Sequence, residues 1–169
     1  GSFVVGEATG PIVEAPFAFT EAIASWNAET PPGTWIETLI RAQAGDHWTK
    51  WYNLGIWAAD AATVERHSVR LQGDADGYVA VDTLVLSDKK VPGTAFQLKL
   101  RLFSAGGLAT PRVCNASLAY STTAGKVKSV TAGNPTLWNR VLDVPACSQM
   151  LYEGGNVWCS PTSTSMVVG

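Results

Sequence analysis

The chain has 169 residues, of which 46% are hydrophobic and only 15% are charged, and its formal net charge is −2. A nearly neutral chain without a basic run has no field to attract nucleic acid or an anionic membrane, and no apolar run approaches the ~18 residues of a membrane span. Seven Trp and sixteen Gly among so few charges are typical of an exported β-rich protein. Gly1-Ser2 is interpreted as a cloning remnant or a processed start, not as a signal peptide.

Short β-like runs separated by Gly, Pro and Asp turns extend over residues 17–121. The clearest is 95–104, where Phe96, Leu98, Leu100 and Leu102 alternate with polar side chains, as in a strand with one buried face. Evenly spaced short strands predict an antiparallel β-sandwich of jelly-roll or galactose-binding-like type over residues 1–121. The predicted strands are 17–26, 34–42, 48–57, 67–72, 78–87, 95–104 and 112–121.

The run 48–57 contains a candidate ligand-binding face. A period of two places Trp51, Asn53 and Trp57 on one face of this strand, opposite Tyr52 and Leu54. If that face is wet, its indole rings can stack on a carbohydrate or dock another domain. The alternative is that both rings pack inside the sandwich.

The acidic segment 74–82 has a weak likeness to a calcium loop. Asp74 and Asp76 have suitable spacing, but the third carboxylate at the next alternate position is missing and no Glu closes the loop. We therefore predict a turn, and expect neither a metal nor a cofactor. His47 is predicted to lie in a turn and His67 in a strand, and neither is predicted to be a catalytic base.

The character of the chain changes after the sandwich. Residues 122–143 are small and polar and are interpreted as a linker. In the following segment, Pro161 suits the first turn of a helix that begins at Cys159. A helix N-terminus favours the thiolate form of a cysteine, so Cys159 occupies a position suited to a nucleophile; the alternative is a buried thiol in a turn. The helix is short and contains few good helix formers, so it needs packing from a neighbour.

The odd number of cysteines leaves a pairing question open. Cys159 is the candidate functional thiol, which leaves Cys114 and Cys147 either as a disulfide or as two buried free thiols.

The segment Val144–Met166, VPACSQMLYEGGNVWCSPTSTSM, resembles the beginning of a papain-like cysteine peptidase domain, in particular that of the bacteriocin-leader-processing type (family C thirty-nine). The matching positions imply that Cys159 is the nucleophile and that Gln149 helps to bind the oxyanion. Upstream, SWNAETPPGTWIETLIRA, WTKWYNLGIWA and VAVDTL resemble the β-sandwich that precedes this peptidase in exported actinobacterial-type proteins.

The resemblance implies a secreted or cell-surface bacterial hydrolase acting on a peptide or protein. Residues 144–169 would open a papain-like α+β domain, and the family's His and Asp or Asn lie well downstream of its Cys. We therefore expect this chain to be an N-terminal part, truncated just after the nucleophile motif, inactive alone and partnered by the rest of its peptidase domain. Two alternatives remain open: a module that binds carbohydrate or a cell-wall polymer, and a structural domain that packs on and positions the peptidase.

Overall fold

The computed structural model describes residues 2–88, 90–123, 125, 132–141, 143–151 and 153–168. Gly1 and residue 169 lie outside this set, as do residues 124, 126–131 and 142 of the predicted linker. The chain divides into two compact units, residues 1–126 and 127–169. None of the described helices is long and apolar enough to span a membrane.

The first unit consists of two antiparallel sheets, which confirms the predicted sandwich. The six-stranded sheet contains β1 (Phe3–Thr9), β2 (Val13–Phe19), β4 (Thr34–Ala44), β5 (His47–Trp48), β6 (Tyr52–Trp57) and β9 (Gly93–Ala105). The four-stranded sheet contains β3 (Glu21–Glu29), β7 (Gly77–Ala80), β8 (Thr83–Leu86) and β10 (Arg112–Ser121).

Strands β4 and β9 are paired along almost their whole length. On β4, burial alternates strictly: Ile36 and Ile40 are fully buried, whereas Trp35, Glu37 and Arg41 on the other face are partly exposed. This is the period of two expected from one face packed on a core and one facing water. The core lies between the sheets and is built around Phe19, Ala22, Ile40, Ala42, Tyr52, Leu54, Leu84, Leu86 and Phe96.

Several predictions differ from the structure. The predicted strand 17–26 is divided at Thr20 between β2 and β3, which lie in different sheets, and the predicted strand 48–57 is divided between β5 and β6. Strand β1 was not predicted, and its seven residues are exposed on both faces, so they carry no buried pattern. Within the predicted strand 67–72, only His67 makes an isolated bridge, to Ile56, and Leu71 has a left-handed φ of 59° that interrupts an extended chain. The predicted strand 78–87 is the β7–β8 hairpin, which turns at Val81 with a φ of 62°.

Register shifts that indicate β-bulges or irregularities occur in four strand pairs, and two of them are described here. Thr38 pairs with Gly55 and Leu39 with Asn53, so Leu54 is an extra residue on β6. On β10, Val113 and Asn115 pair with consecutive residues of β3, so Cys114 is the extra residue. A bulge reverses the alternation of side chains beyond it, which matters for the faces described below.

The sandwich is incompletely closed on one side. Leu98 and Leu100 of β9 point inward as predicted but are only partly buried. They line a cavity of about 460 Å³ that opens between the two sheets. Its other lining residues are Ala8, Thr9, Gly10, Pro11, Val13, Phe96, Ala116 and Leu118.

The described part of the second unit contains short helical elements and no strand. These are 3₁₀ turns at Pro135–Leu137, Gln149–Leu151 and Gly155–Val157, followed by α1 (Cys159–Val168). Among the described residues of this unit Gly155 alone is buried. No residue of α1 is buried.

Candidate functional site

Cys159 is the first residue of α1, which confirms the predicted start of this helix. Pro161 lies in the first turn, where its missing N–H removes no helical hydrogen bond. The first N–H groups of a helix have no partner within it and point outward together with the positive end of the helix dipole. The thiol of Cys159 is free and the residue is exposed, so the alternative of a buried thiol is wrong.

Gln149 is held against the turn that leads to this helix. Its side-chain amide nitrogen Nε2 donates a hydrogen bond of 2.8 Å to the carbonyl oxygen of Gly155. Gly155 packs so closely on the backbone of Gln149 that a Cβ atom there would collide with the Gln149 carbonyl group. Gly154 supplies the left-handed turn with a φ of 78°. The two glycines therefore fix the position of Gln149 relative to the segment that begins α1.

A shallow pocket of about 260 Å³ lies beside the first turns of α1, within the second unit. Its wall includes Trp158, Pro161 and Thr162, and its other residues are Cys147, Ser148, Leu151 and Ser165. The backbone N–H of Cys147 contacts the sulfur of Met166 at 3.2 Å, which ties this segment to α1. Cys159 is not among the residues that line the pocket.

Both histidines lie in the sandwich and are engaged there. The two ring nitrogens of His47 lie 2.9 Å from Asp76 Oδ1 and 3.3 Å from Asp46 Oδ1, and the hydrogen bonds to these carboxylates raise the pKa of His47. His67 Nδ1 lies 2.6 Å from the carbonyl oxygen of Glu65.

The other two cysteines are free thiols in the structure, and both are exposed. The alternative of buried free thiols is therefore wrong for Cys114 and Cys147. Cys114 belongs to the first unit and Cys147 to the second. The disulfide between them stays a prediction, and mass spectrometry under non-reducing conditions tests it.

The acidic segment forms a turn, as predicted. The carboxylate of Asp74 accepts hydrogen bonds from the backbone N–H groups of Asp76 and Gly77 and from the hydroxyl of Tyr52, and pairs with Lys50 at 3.0 Å. Partial burial raises the pKa of Asp74, but these hydrogen bonds outweigh it and lower the pKa to about 2. Burial, and then the Asp74 carboxylate, raise the pKa of Tyr52 well above its usual range. Among the described residues, no group of three His, Cys, Asp or Glu side chains could hold a metal ion.

The expectation that Trp51, Asn53 and Trp57 share a face is wrong for Trp57. The bulge at Leu54 shifts the alternation, so Trp57 pairs with the buried Ile36 and its ring meets that of Trp26 edge to face at 6.5 Å. Asn53 lies on the outer face, where its amide donates a hydrogen bond to Glu37. Gly55, an isolated glycine within a predicted strand, was the available sequence signal for this bulge.

Trp51 lies on the outer face within a cluster that strand-by-strand reasoning missed. The Arg41 guanidinium carbon is 4.7 Å from the ring centroid of Trp48 and 4.9 Å from that of Trp51. The Lys99 ammonium is 4.6 Å from the Trp51 centroid. Three of these residues come from β4, β5 and β9, and Trp51 directly precedes β6, so only the sheet pairing brings them together.

These features define a β-sandwich domain followed by a short segment in which an exposed cysteine begins a helix. The model of the family described as Peptidase C39 N-terminal domain matches residues 1–121, and the chain belongs to this family. The predicted resemblance of the sandwich to the domain that precedes this peptidase is thus confirmed. No curated protein and no solved structure matches the chain.

Proposed function

We propose that this chain is the N-terminal part of an exported bacterial cysteine peptidase of the papain-like type, with Cys159 as nucleophile. The observation that carries the proposal is the arrangement after the family-matched domain: an exposed thiol at the start of α1 and Gln149 fixed against the preceding turn. The substrate would be a peptide or protein, which the thiolate attacks at a peptide carbonyl group.

The chemistry follows from these two residues. The Cys159 thiolate attacks the scissile carbonyl carbon, and the C–N bond breaks as the amine leaves with a proton, which gives a thioester that water then hydrolyses. The oxyanion that forms on the way accepts hydrogen bonds from the Cys159 backbone N–H and from Gln149 Nε2. Nε2 carries two N–H groups, and the hydrogen bond to Gly155 uses one of them.

In the family pattern, the base that accepts the thiol proton is a His downstream of the Cys. His47 already has a carboxylate at each ring nitrogen, whereas a catalytic His needs one ring nitrogen directed at the thiol. His67 is engaged by the Glu65 carbonyl. We therefore expect the 169-residue chain to show no peptidase turnover.

The test is a chain that continues past residue 169 through a complete peptidase domain. A thiol-reactive peptidase probe should label Cys159, and Cys159→Ala should abolish both labelling and turnover. Gln149→Ala should lower kcat by about a hundredfold or more with a smaller effect on KM, because an oxyanion donor acts mainly in the transition state.

Cys114→Ala and Cys147→Ala are the matched controls, and both should keep the turnover of the unmodified chain. Turnover that survives Cys159→Ala would refute the proposal. So would turnover in the 169-residue chain that Cys159→Ala abolishes, since that would require a base among the residues assigned here to other contacts.

A second role is favoured by the open side of the sandwich, where the apolar cavity of about 460 Å³ lies. We infer that the sandwich packs on its own peptidase domain and positions it, with Leu98, Leu100 and Leu118 in the contact. Exposed apolar surface of this kind marks interaction sites. Hydrogen exchange at residues 96–102 and 113–118 should slow in the longer chain relative to the 169-residue chain, and equal exchange would contradict this role.

A further inference from the structure

The outer face of the six-stranded sheet carries a cationic-aromatic cluster, defined here as Arg41, Trp48, Trp51 and Lys99. All four side chains are partly exposed. The Arg41 guanidinium lies against both indole rings, and the Lys99 ammonium lies against that of Trp51. Cation–π contacts hold the two cations at defined positions on the outer face of the sheet.

The neighbouring carboxylates do not neutralise this cluster. Glu7 and Glu37 both form ion pairs with Arg101. Arg101 Nε lies 2.9 Å from Glu7 Oε1, without the alignment of a hydrogen bond, and Arg101 Nη1 lies 3.1 Å from Glu37 Oε2. Lys99 has only a longer contact of 3.8 Å with Glu7. Within the described part of the chain, Arg41 makes no ion pair. Arg41 is therefore a cation without a paired carboxylate among the described residues of this face, in a chain whose net charge is −2.

Arg41 is oriented but keeps most of its hydrogen-bonding capacity. Its Nε donates a hydrogen bond of 2.9 Å to Gln97 Oε1, and Gln97 Nε2 in turn donates one of 2.8 Å to the Gly10 carbonyl oxygen. This chain of bonds fixes the plane of the guanidinium. The outer edge of the guanidinium, with its two terminal nitrogens, has the fork geometry that binds a carboxylate through two parallel hydrogen bonds.

We propose that this cluster binds an acidic saccharide, with a sugar carboxylate on Arg41 and Lys99 and the sugar ring against an indole. The pairing of fixed cations with partly exposed Trp side chains carries the choice of ligand. An acidic peptide needs the cations but not the rings, whereas a neutral glycan needs the rings but leaves the cations unpaired. This site is independent of the proposed peptidase activity.

The test uses the 169-residue chain and isothermal titration with oligogalacturonate. The comparison ligands are a neutral oligosaccharide of the same length and a poly-glutamate of the same charge. Oligogalacturonate should bind, and raised salt should weaken it because the contact is ionic. Both comparison ligands should bind at least about tenfold more weakly. Absence of oligogalacturonate binding, or equal binding of either comparison ligand, would overturn the proposal.

Variants locate the site. Arg41→Lys keeps the charge but loses the two-pronged geometry, and should weaken binding by about tenfold. Lys99→Gln and Trp51→Ala should each weaken it as well, with thermal melts checking that the variants are folded. Arg112→Gln is the matched control, since Arg112 is an exposed cation on the other sheet, paired with Glu29 at 3.6 Å. Unchanged affinity in folded Arg41→Lys and Lys99→Gln variants would refute the site even if the chain binds the saccharide elsewhere.

Discussion

In the first unit Phe19, Ile40 and Tyr52 are fully buried, whereas in the second Leu151 and Val167 are 74% and 78% exposed. The sandwich therefore has its own hydrophobic core, and burial of apolar surface stabilises it. The described residues of the second unit have turns and a helix but no core. Their arrangement depends on local features, such as the Gly154–Gly155 turn and the hydrogen bond from Gln149 to Gly155. A hydrophobic core thus stabilises the first unit, whereas local turns and hydrogen bonds determine the arrangement of the described residues of the second.

The largest expected effect tests this difference directly. Phe19→Ala should lower the free energy of unfolding of the sandwich by about 3–5 kcal/mol, because it removes a fully buried ring that contacts Phe96 and Tyr120. Val167→Ala in α1 should change it by less than about 0.5 kcal/mol. Urea denaturation followed by tryptophan fluorescence measures both. Similar losses for the two variants would show that α1 contributes a core of its own.

A smaller effect is expected at the turn that supports the core tyrosine. Asp74→Ala should cost about 2 kcal/mol at neutral pH, since it removes acceptors for the Tyr52 hydroxyl and two backbone N–H groups. Because folding lowers the Asp74 pKa from 3.8 to about 2, its charged form stabilises the sandwich above about pH 4. That stabilisation is lost as the pH falls towards 2.

Denaturation curves between pH 2 and 7 check this prediction. Asp74→Asn should flatten the acid limb, whereas Asp82→Ala, at an exposed carboxylate, should leave it unchanged. An acid limb that is identical in the parent chain and in Asp74→Asn would contradict the role assigned to Asp74.

In the second unit, Gly155→Ala should displace Gln149, at a local cost of about 1–3 kcal/mol, because the new Cβ collides with the Gln149 carbonyl group. Gly154→Ala should cost about 1–2 kcal/mol from the left-handed φ alone, without that collision. The NMR shift of the Gln149 side-chain amide reports the loss of its hydrogen bond. A shift that changes no more in Gly155→Ala than in Gly154→Ala would argue against the close approach.

The smallest effect is expected at His47. Hydrogen bonds to Asp76 and Asp46 raise its pKa from 6.5, so protonated His47 stabilises the folded sandwich below about pH 6.5 and this contribution disappears as the pH rises through the raised pKa. The melting temperature should fall slightly across that window. His47→Gln should remove this slope and His67→Gln should retain it. A slope that persists in His47→Gln would assign the titration to another group.

The parts of the fold that could be predicted best from the sequence are strands with one face buried in the core and the other exposed to solvent. Strands β4 and β9 were predicted because inward apolar side chains alternate with outward polar ones. Strand β1 was missed because both of its faces are exposed, so pairing with β9 decides its conformation. The helix at Cys159 was predicted from a local rule, the position of Pro161.

The cationic-aromatic cluster could not be predicted from the sequence for a different reason. Arg41, Trp48, Trp51 and Lys99 are brought together by the β4–β5 and β4–β9 registers. Alternation within one strand carries no information about such neighbours. The face of Trp57 was predicted wrongly because a single extra residue, Leu54, reverses the alternation.

The bulge at Cys114 has a consequence for solubility. Strand β10 ends its sheet, so the backbone N–H and C=O groups of alternate residues along its outer side face no partner strand among the described residues. Long regular edges of this kind are templates for edge-to-edge aggregation, and a bulge interrupts the repeat that such pairing requires. Removal of Cys114 would restore an uninterrupted edge and reverse the alternation on one side of it. One extra residue thus limits the length of regular edge that β10 offers to another extended chain.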